Sequence, residues 1–405
     1  MNENCYISTR FNNNYVEFVL VKLVNSKVHI LESKKYPLAG YLDGSINNLD
    51  AFSESFSHAI NILTQQFNFT IDELMVCLPP HYLKIYQAEV QNLIKTEGQI
   101  ISENEIKKAR NDCKNAKVND DEVVVEESPI YYTLDDNSIL RTAPINYASS
   151  TLSLKSYIYT IPLSFIESLF EVFQKLNIKL LAPYLNSFIP YELYVEPYES
   201  EEGLIIVDFS HDFINISLFY KEQLIDNQII NLGIQDLILE IQKNLNIDFE
   251  TAENFLFAYF VPNIEKASDI IILNNYNLSE KRLSGIVLNK LIPIIEQINN
   301  ICKNIVEKNN LNTIKKIVCG KITDIHEIEE LFADYKIGLL NKIGLIGNEF
   351  NDCLGCIYRY LHLNKDQISN IKEDDDKPSF TLKDEKENNE TTSLNKSRFV
   401  DIFDE

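Results

Sequence analysis

Two stretches of the chain share one order of apolar and polar positions. In the first, Cys5 to Thr9 reads as a short strand and Arg10 to Asn14 as a turn; Tyr15 to Leu23 is a strand around the buried run Val19-Leu20-Val21, and Val28 to Leu31 is a third. A loop with Gly40 and Gly44 then leads to a helix capped by Asp50, with Phe52, Phe56, Ala59, Ile60, Leu63 and Phe67 on one face. Leu74 to Leu78 is the next strand, stopped by Pro79-Pro80. In the second stretch, Leu204-Ile205-Ile206-Val207 is a continuous apolar run ending at Asp208, the pattern of a strand buried on both faces. Phe209-Ser210-His211-Asp212 supplies a turn, and Ile214, Ile216 and Leu218 then alternate with Asn215 and Ser217. Leu224 to Ile230 is a third strand, and Gly233 opens a helix whose apolar positions Ile234, Leu237, Ile238, Ile241 and Leu245 fall at helical spacing.

Between the two stretches the pattern changes. Ser102 with Glu105 makes a capping box before a helix through Lys107, Ala109 and Arg110; three extended segments follow, Glu122 to Glu126, Pro129 to Leu134 and Leu152 to Ile161. This predicts a small α+β subdomain over residues 86–159, ahead of a helix from Leu163 to Leu176. Beyond Asp248-Phe249-Glu250-Thr251-Ala252-Glu253 runs a long helix, Glu280 to Asn309, striped by Ile286, Val287, Leu291, Ile294, Ile295, Ile298 and Ile305. Ile314 to Cys319 is a strand closed by Gly320; Glu327 to Ala333 reads as helical, Ile337 to Leu340 as extended, and Phe350 to Leu363 as the closing helix. From about Asp366 the composition turns to Asp, Glu, Lys, Asn and Ser, which predicts a disordered acidic linker over 366–405. Apolar residues return only at its end, where Phe399, Ile402 and Phe403 stand at i, i+3 and i+4.

A chain of 405 residues exceeds the size at which a single core stops growing, so two or more domains are expected. The formal net charge of −23 argues against nucleic acid as a partner, because phosphate neutralisation needs a basic face. Without a long uninterrupted apolar run, and with the polar start Met-Asn-Glu-Asn, the expectation is a cytoplasmic protein. Seven cysteines in strand-like and helix-like contexts read as reduced, buried thiols; Cys353-Leu-Gly-Cys356 lacks a second pair or a nearby histidine, so no metal site is expected there. His211 beside Asp212 is read as a turn histidine, and no residue is assigned a catalytic role.

The doubled order, with Asp208 closing the first strand of its second half, resembles the actin-like ATPase superfamily and, within it, the FtsA family of bacterial cell-division proteins. The resemblance covers roughly residues 4 to 363. The inserted subdomain stands where FtsA carries one and ordinary actins do not. The implied fold class is α/β: an actin-like, duplicated ribonuclease-H-like two-domain fold with a small α+β insertion and a disordered tail. Its first domain comprises 1–85 and 160–200, its second 201–245 and 312–365, and a helical or mixed subdomain spans 246–311. The family's phosphate loops hold glycines, whose backbone approaches phosphate closely. Here the first loop matches Ser8-Thr9-Arg10-Phe11 and the second follows Asp208 with Phe-Ser-His-Asp. Nucleotide contacts carried over by the resemblance are Thr9, Asp208, Gly233, Glu253 and Gly320; Leu256 takes the family's lysine position and Lys321 replaces the second glycine of its final pair.

ATP with Mg is thus implied as a weakly held cofactor, with hydrolysis weak or lost. The implied role is an adaptor that binds the C-terminal tail of the tubulin-like protein FtsZ through the region of Asn246 to Asn309, with Lys290 as a charged contact, and that self-associates into actin-like filaments. Phe399, Ile402 and Phe403 are then a peripheral contact with the inner face of the cell membrane at the division site, or else a linear peptide for a protein partner. Two alternatives stay open: a scaffold like the pilus protein PilM, which carries a similar insertion and binds a peptide, and a hydrolysing ATPase of the same superfamily.

Overall fold

The computed structural model describes residues 5–24, 27–67, 70–95, 99–115, 119–196, 199–273, 278–312, 314–339 and 348–364. Phe399, Ile402, Phe403 and the rest of the acidic tail lie outside these residues. Cys5–Phe11 (β1), Tyr15–Val24 (β2) and Lys27–Pro37 (β3) form an antiparallel meander. A two-stranded ribbon, Tyr41–Leu42 (β4) with Ser45–Ile46 (β5), leads into helix Leu49–Phe67 (α1) and strand Glu73–Leu78 (β6), which lies parallel to β1. The first strand is longer than its polarity predicts. Phe11 pairs with Val16 and packs its ring edge-on against Phe52 and Phe56, so the turn shrinks to Asn12, Asn13 and Asn14 and Arg10 is drawn into the strand. Asn48, not Asp50, caps α1: its Oδ1 accepts the Ala51 N–H at 3.0 Å, and Asp50 sits in the first turn.

The inserted subdomain is built from Lys84–Leu93 (β7), Glu103–Asn115 (α2), Glu122–Leu134 (β8), Ile139–Leu140 (β9) and Thr151–Pro162 (β10), with sheet order β7-β10-β8-β9. Of the expected capping box, the Glu105 carboxylate half forms, accepting the Ser102 N–H at 3.1 Å and the Ser102 hydroxyl as well. The two extended segments expected at 122–126 and 129–134 are one strand. Pairing jumps from Tyr131 to Pro129 opposite Lys155 and Ser156, so the proline, lacking an N–H, is carried by a bulge instead of ending the strand.

Leu163–Lys175 (α3), Lys179–Leu185 (β11) and Ile189–Tyr194 (α4) return the chain to the first sheet, whose order is β11-β6-β1-β2-β3. Leu204–Phe209 (β12), Ile214–Tyr220 (β13) and Gln223–Ile230 (β14) are a second meander, followed by helices Ile234–Leu245 (α5) and Phe249–Tyr259 (α6). A small hairpin, Ile271–Leu273 (β15) and Leu278–Ser279 (β16), precedes helix Glu280–Lys308 (α7). Lys315–Gly320 (β17) and Lys336–Ile337 (β18) complete the second sheet in the order β14-β13-β12-β17-β18. Read from the meander inward, the two sheets repeat one topology: three antiparallel strands, then two parallel to the first. The helix expected over Glu327 to Ala333 is only a 3-10 turn at Ile328–Glu330, because Glu327 takes a left-handed conformation that breaks regular winding.

The closing helix, Asn351–Leu363 (α8), packs on the outer face of the first sheet, burying Cys353, Leu354 and Ile357 against Val19, Val21, Met75 and Ala182. Cys356 of the same helix packs with Cys77 of β6 and Ile189 of α4, and all seven cysteines are buried and outside any disulfide. Both meander turns, 12–14 and 210–213, come out at the same place, between the two sheets.

Candidate functional site

The site is the space between those two turns. Arg10 on β1 and Glu17 on β2 point into it from the first sheet, Asp208 from the end of β12, and Asp352 from the first turn of α8; all four are buried. The Arg10 Nη1 stands 2.6 Å from Asp352 Oδ2 and 3.9 Å from Glu17 Oε2. Its guanidinium also lies 5.5 Å from the centre of the Phe213 ring. One cation therefore serves three carboxyls. Burial pushes Glu17 up to about 8 against the pull of Arg10, and burial together with the nearby Asp352 charge pushes Asp208 up to about 7. Asp352 is likewise raised by burial, and Arg10, although burial disfavours its charge, is held protonated by Asp352 and Glu17.

The two turns bond directly to each other. The Asn13 N–H donates to Asp212 Oδ2 at 2.7 Å, and Asp212 Oδ1 meets His211 Nδ1 at 2.7 Å. Despite burial, those bonds and Arg10 hold the Asp212 carboxyl below its usual range. Tyr15 lies edge-on to the His211 ring at 5.3 Å. Several neighbouring backbone donors are also engaged: Asn12 N–H on Tyr15 O, Ser210 N–H on Phe213 O, Ile234 and Gln235 N–H on the carbonyls of Ser210 and His211, and Gly233 N–H on Asp236. Part of the amide set that could cradle a phosphate is thus spent on bonds within the chain.

Of the residues singled out from sequence, Asp208 and Gly320 meet. Gly320 has φ +86, and a Cβ there would lie 2.5 Å from Asp208 Oδ1. Gly233 abuts the second turn so closely that a Cβ would fall 2.1 Å from the His211 carbonyl oxygen. Thr9 is buried in β1 and donates its hydroxyl to Glu17 O at 2.9 Å. Glu253 lies half-buried on α6 and Lys290 half-buried on α7, both outside the cavity lining. Leu256 is fully buried in the second core. Sequence reasoning missed Arg10, Glu17, Asp352 and the latch residue Asp212. A charge inside each buried run was the available signal, since such a charge demands a partner. Lys321 is half-enclosed beside the same cavity, paired with Glu349 at 3.2 Å and Asp324 at 3.3 Å, its Nζ 4.7 Å from the Phe257 ring centre.

What remains open is about 10 Å³, room for about one water. Around it, Arg10 Nη2, both Glu17 carboxyl oxygens and Asn351 Oδ1 have no hydrogen-bond partner among the described residues. The residues present do not fit a nucleotide: the space between the turns holds about one water, the Asn13 and Ser210 amides are bonded within the chain, and the Arg10 and Lys321 side chains fill the lining. Among the described residues no cluster of His, Cys, Asp or Glu is arranged to hold a metal ion, and no helix is long and apolar enough to cross a membrane.

No known family profile matches the chain. Among characterised proteins, cell division protein FtsA of Staphylococcus epidermidis is 17% identical over 372 residues, covering 88% of this chain and 79% of that protein. Cell division protein FtsA of Helicobacter pylori is 20% identical over 245 residues, 56% of this chain and 49% of that protein. Among solved structures, a chain of the PilM-PilN type IV pilus biogenesis complex superposes with a TM-score of 0.57 at 11% identity, covering 87% of this chain and 98% of that one. MreB5 of Spiroplasma citri bound to ADP superposes with a TM-score of 0.51 at 11% identity, over 91% of this chain and 99% of that one. The chain has the actin-like fold and is a distant relative of FtsA. MreB5 with its ADP shows that this fold admits a nucleotide. In the present chain the two turns are bonded to each other through Asp212.

Proposed function

We propose that this chain is an FtsA-type scaffold of the division machinery with a duplicated actin-like core, whose nucleotide cleft is closed by its own side chains and which hydrolyses nothing. One observation carries the closure: the Asn13 N–H, in the turn that follows the Ser8-Thr9-Arg10-Phe11 match to the family's first phosphate loop, is bonded to Asp212 in the match to the second. An internal carboxylate takes the part of a phosphate oxygen. Thr9, Asp208, Gly233, Glu253 and Gly320 keep the positions of the ancestral nucleotide contacts, with Asp208 and Gly320 now packed around Arg10's cluster. In this reading the segment 246–309 binds the FtsZ tail with Lys290 at the contact, and copies associate through the actin-like core. The FtsA relationship supports it, since the match extends over most of both chains. The superposition on the PilM-PilN complex keeps a PilM-like peptide scaffold as the second reading.

Titration of the purified protein with a fluorescent ATP analogue in the presence of Mg tests the closure, and no saturable binding up to millimolar concentration is expected. Micromolar affinity with steady turnover would overturn it. The adaptor role is tested separately with a synthetic FtsZ tail peptide: the parent protein should bind and Lys290→Glu should bind more weakly, whereas a parent protein that ignores the peptide removes that role and leaves the closure standing.

A further inference from the structure

A second and larger cavity, about 510 Å³, lies apart from the cluster of Arg10. One wall is Asp43 and the turn Pro80–Leu83; the other is Asn227, Gln228 and Ile229 of β14, with Asn231 just beyond. Side chains of successive strand residues point to opposite faces, so a cavity lying over a sheet face would touch alternate residues only. Here three consecutive residues line one space, which places the cavity along the edge of the strand. That edge is open. β14 is the terminal strand of its sheet and, among the described residues, pairs only with β13. The bonds that other elements make to it are from the Tyr159 hydroxyl to Leu224 O, at the start of the strand, and from Lys308 and Asn309 to the Asp226 side chain. The Asn227 N–H turns back onto Asp226 Oδ1 at 2.9 Å, and the main chain beyond it stays free for an added strand.

Unpaired main-chain groups beside a cavity of this size are the template for strand addition. The wall chemistry restricts the occupant. Asp43 is exposed with one carboxyl oxygen 3.2 Å from the Asn13 amide, no lysine or arginine lines the cavity, and the chain's formal net charge is −23. Tyr82 is 44% exposed, and its hydroxyl bonds Ser45, leaving a ring face for an apolar side chain. We propose that β14 is a docking edge for an extended, basic peptide segment of a partner protein, held by main-chain hydrogen bonds along residues 227–231, with a lysine or arginine directed to Asp43. This site is separate from the proposed FtsZ-tail surface and adjoins the closed cleft only through the Asp43–Asn13 pair, and peptide binding is read apart from the nucleotide titration, so its failure is distinguishable from failure of either reading.

The test uses the full-length protein and four synthetic hexapeptides with a fluorescent label: Lys-Val-Lys-Val-Thr-Val, the same peptide with glutamate for both lysines, and two versions of the basic peptide N-methylated on alternate residues, one in each register. The basic peptide is expected to bind about tenfold or more tightly than the acidic one, and at least one N-methylated register to lose about tenfold, the effect of removing one or two main-chain hydrogen bonds. Hydrogen exchange should show protection confined to 225–231, and Asp43→Lys should remove the preference for the basic peptide. Absence of binding by all peptides, indifference to N-methylation in both registers, or protection elsewhere in the chain would each overturn the proposal.

Discussion

Arg10 illustrates how a single side chain can stand where a ligand would otherwise be required. A buried guanidinium beside Asp352 at 2.6 Å is well matched, but two further carboxyls within the same enclosure exceed what one cation can neutralise. The excess is relieved by protons, and that has a defined pH signature. Unfolded carboxyls release their protons near pH 4, whereas Glu17 and Asp208 hold theirs to about 8 and about 7 in the folded chain. Between those values the native state binds more protons than the unfolded state, so this cluster's contribution to stability falls as pH rises from about 4 to about 8. Glu17→Gln removes the larger part. Its stability relative to the parent, measured by urea unfolding, should improve by on the order of 1–3 kcal/mol between pH 5.5 and pH 8.5; a difference that is flat with pH would contradict this account. Arg10→Met acts oppositely, leaving Asp352 without its cation at a cost of about 3–5 kcal/mol. Sequence periodicity placed Thr9 and the run around Glu17 in strands, yet it could not pair Arg10 with an aspartate more than three hundred positions away. Long-range charge pairing has no period to read.

At the scale of elements, α8 ties together parts of the chain that its sequence position does not suggest. Asp352 in its first turn reaches the closed cleft; two turns later Arg359 pairs with Glu126 of β8 and, at 2.5 Å, with Glu192 of α4, its guanidinium 4.3 Å from the Phe188 ring centre. The helix thereby fixes the inserted subdomain against the first sheet. Arg359→Leu should destabilise the protein by about 3–5 kcal/mol, since it strands two largely buried carboxylates. Hydrogen exchange should rise first in β8 and α4; a uniform rise across both sheets would mean that the pair does not hold the subdomain. The helix itself was legible from its apolar spacing, as were both meanders. Boundaries were lost where a polar residue sat in a buried strand, as at Arg10, or where Pro129 signalled an end that a bulge absorbed. Strand β7 alternates Tyr86, Ala88 and Val90 with Gln87, Glu89 and Gln91, a true period-two signal dulled by the weak hydrophobicity of alanine and tyrosine.

For the whole molecule, a latched cleft changes how assembly can be controlled. An actin-like protein that opens and closes around nucleotide can couple hydrolysis to association; under the proposed closure, with Asn13 bonded to Asp212 and Arg10 joining β1 to α8, that coupling would have no ligand to act through. Control must then come from concentration, partners or surfaces. In the role that the sequence resemblance implies, the C-terminal segment would supply the surface, through Phe399, Ile402 and Phe403. Full burial of each is worth about 1.5–3 kcal/mol, and a short terminal helix must also overcome its nucleation cost, so one copy should dwell only briefly on lipid. Several copies side by side multiply residence without any new contact. Asp401, Asp404 and Glu405 in the same segment oppose anionic lipid, so attachment should be stronger on zwitterionic than on anionic vesicles unless Lys396 and Arg398 outweigh them. Co-sedimentation with liposomes of both compositions decides the matter. The full chain is expected to pellet in a concentration-dependent manner, while a truncation after Glu390 and a Phe399→Asp variant stay in the supernatant. If the full chain fails to pellet at any concentration, or the truncation pellets with it, the segment is a peptide for a protein partner and membrane residence must be supplied by another molecule.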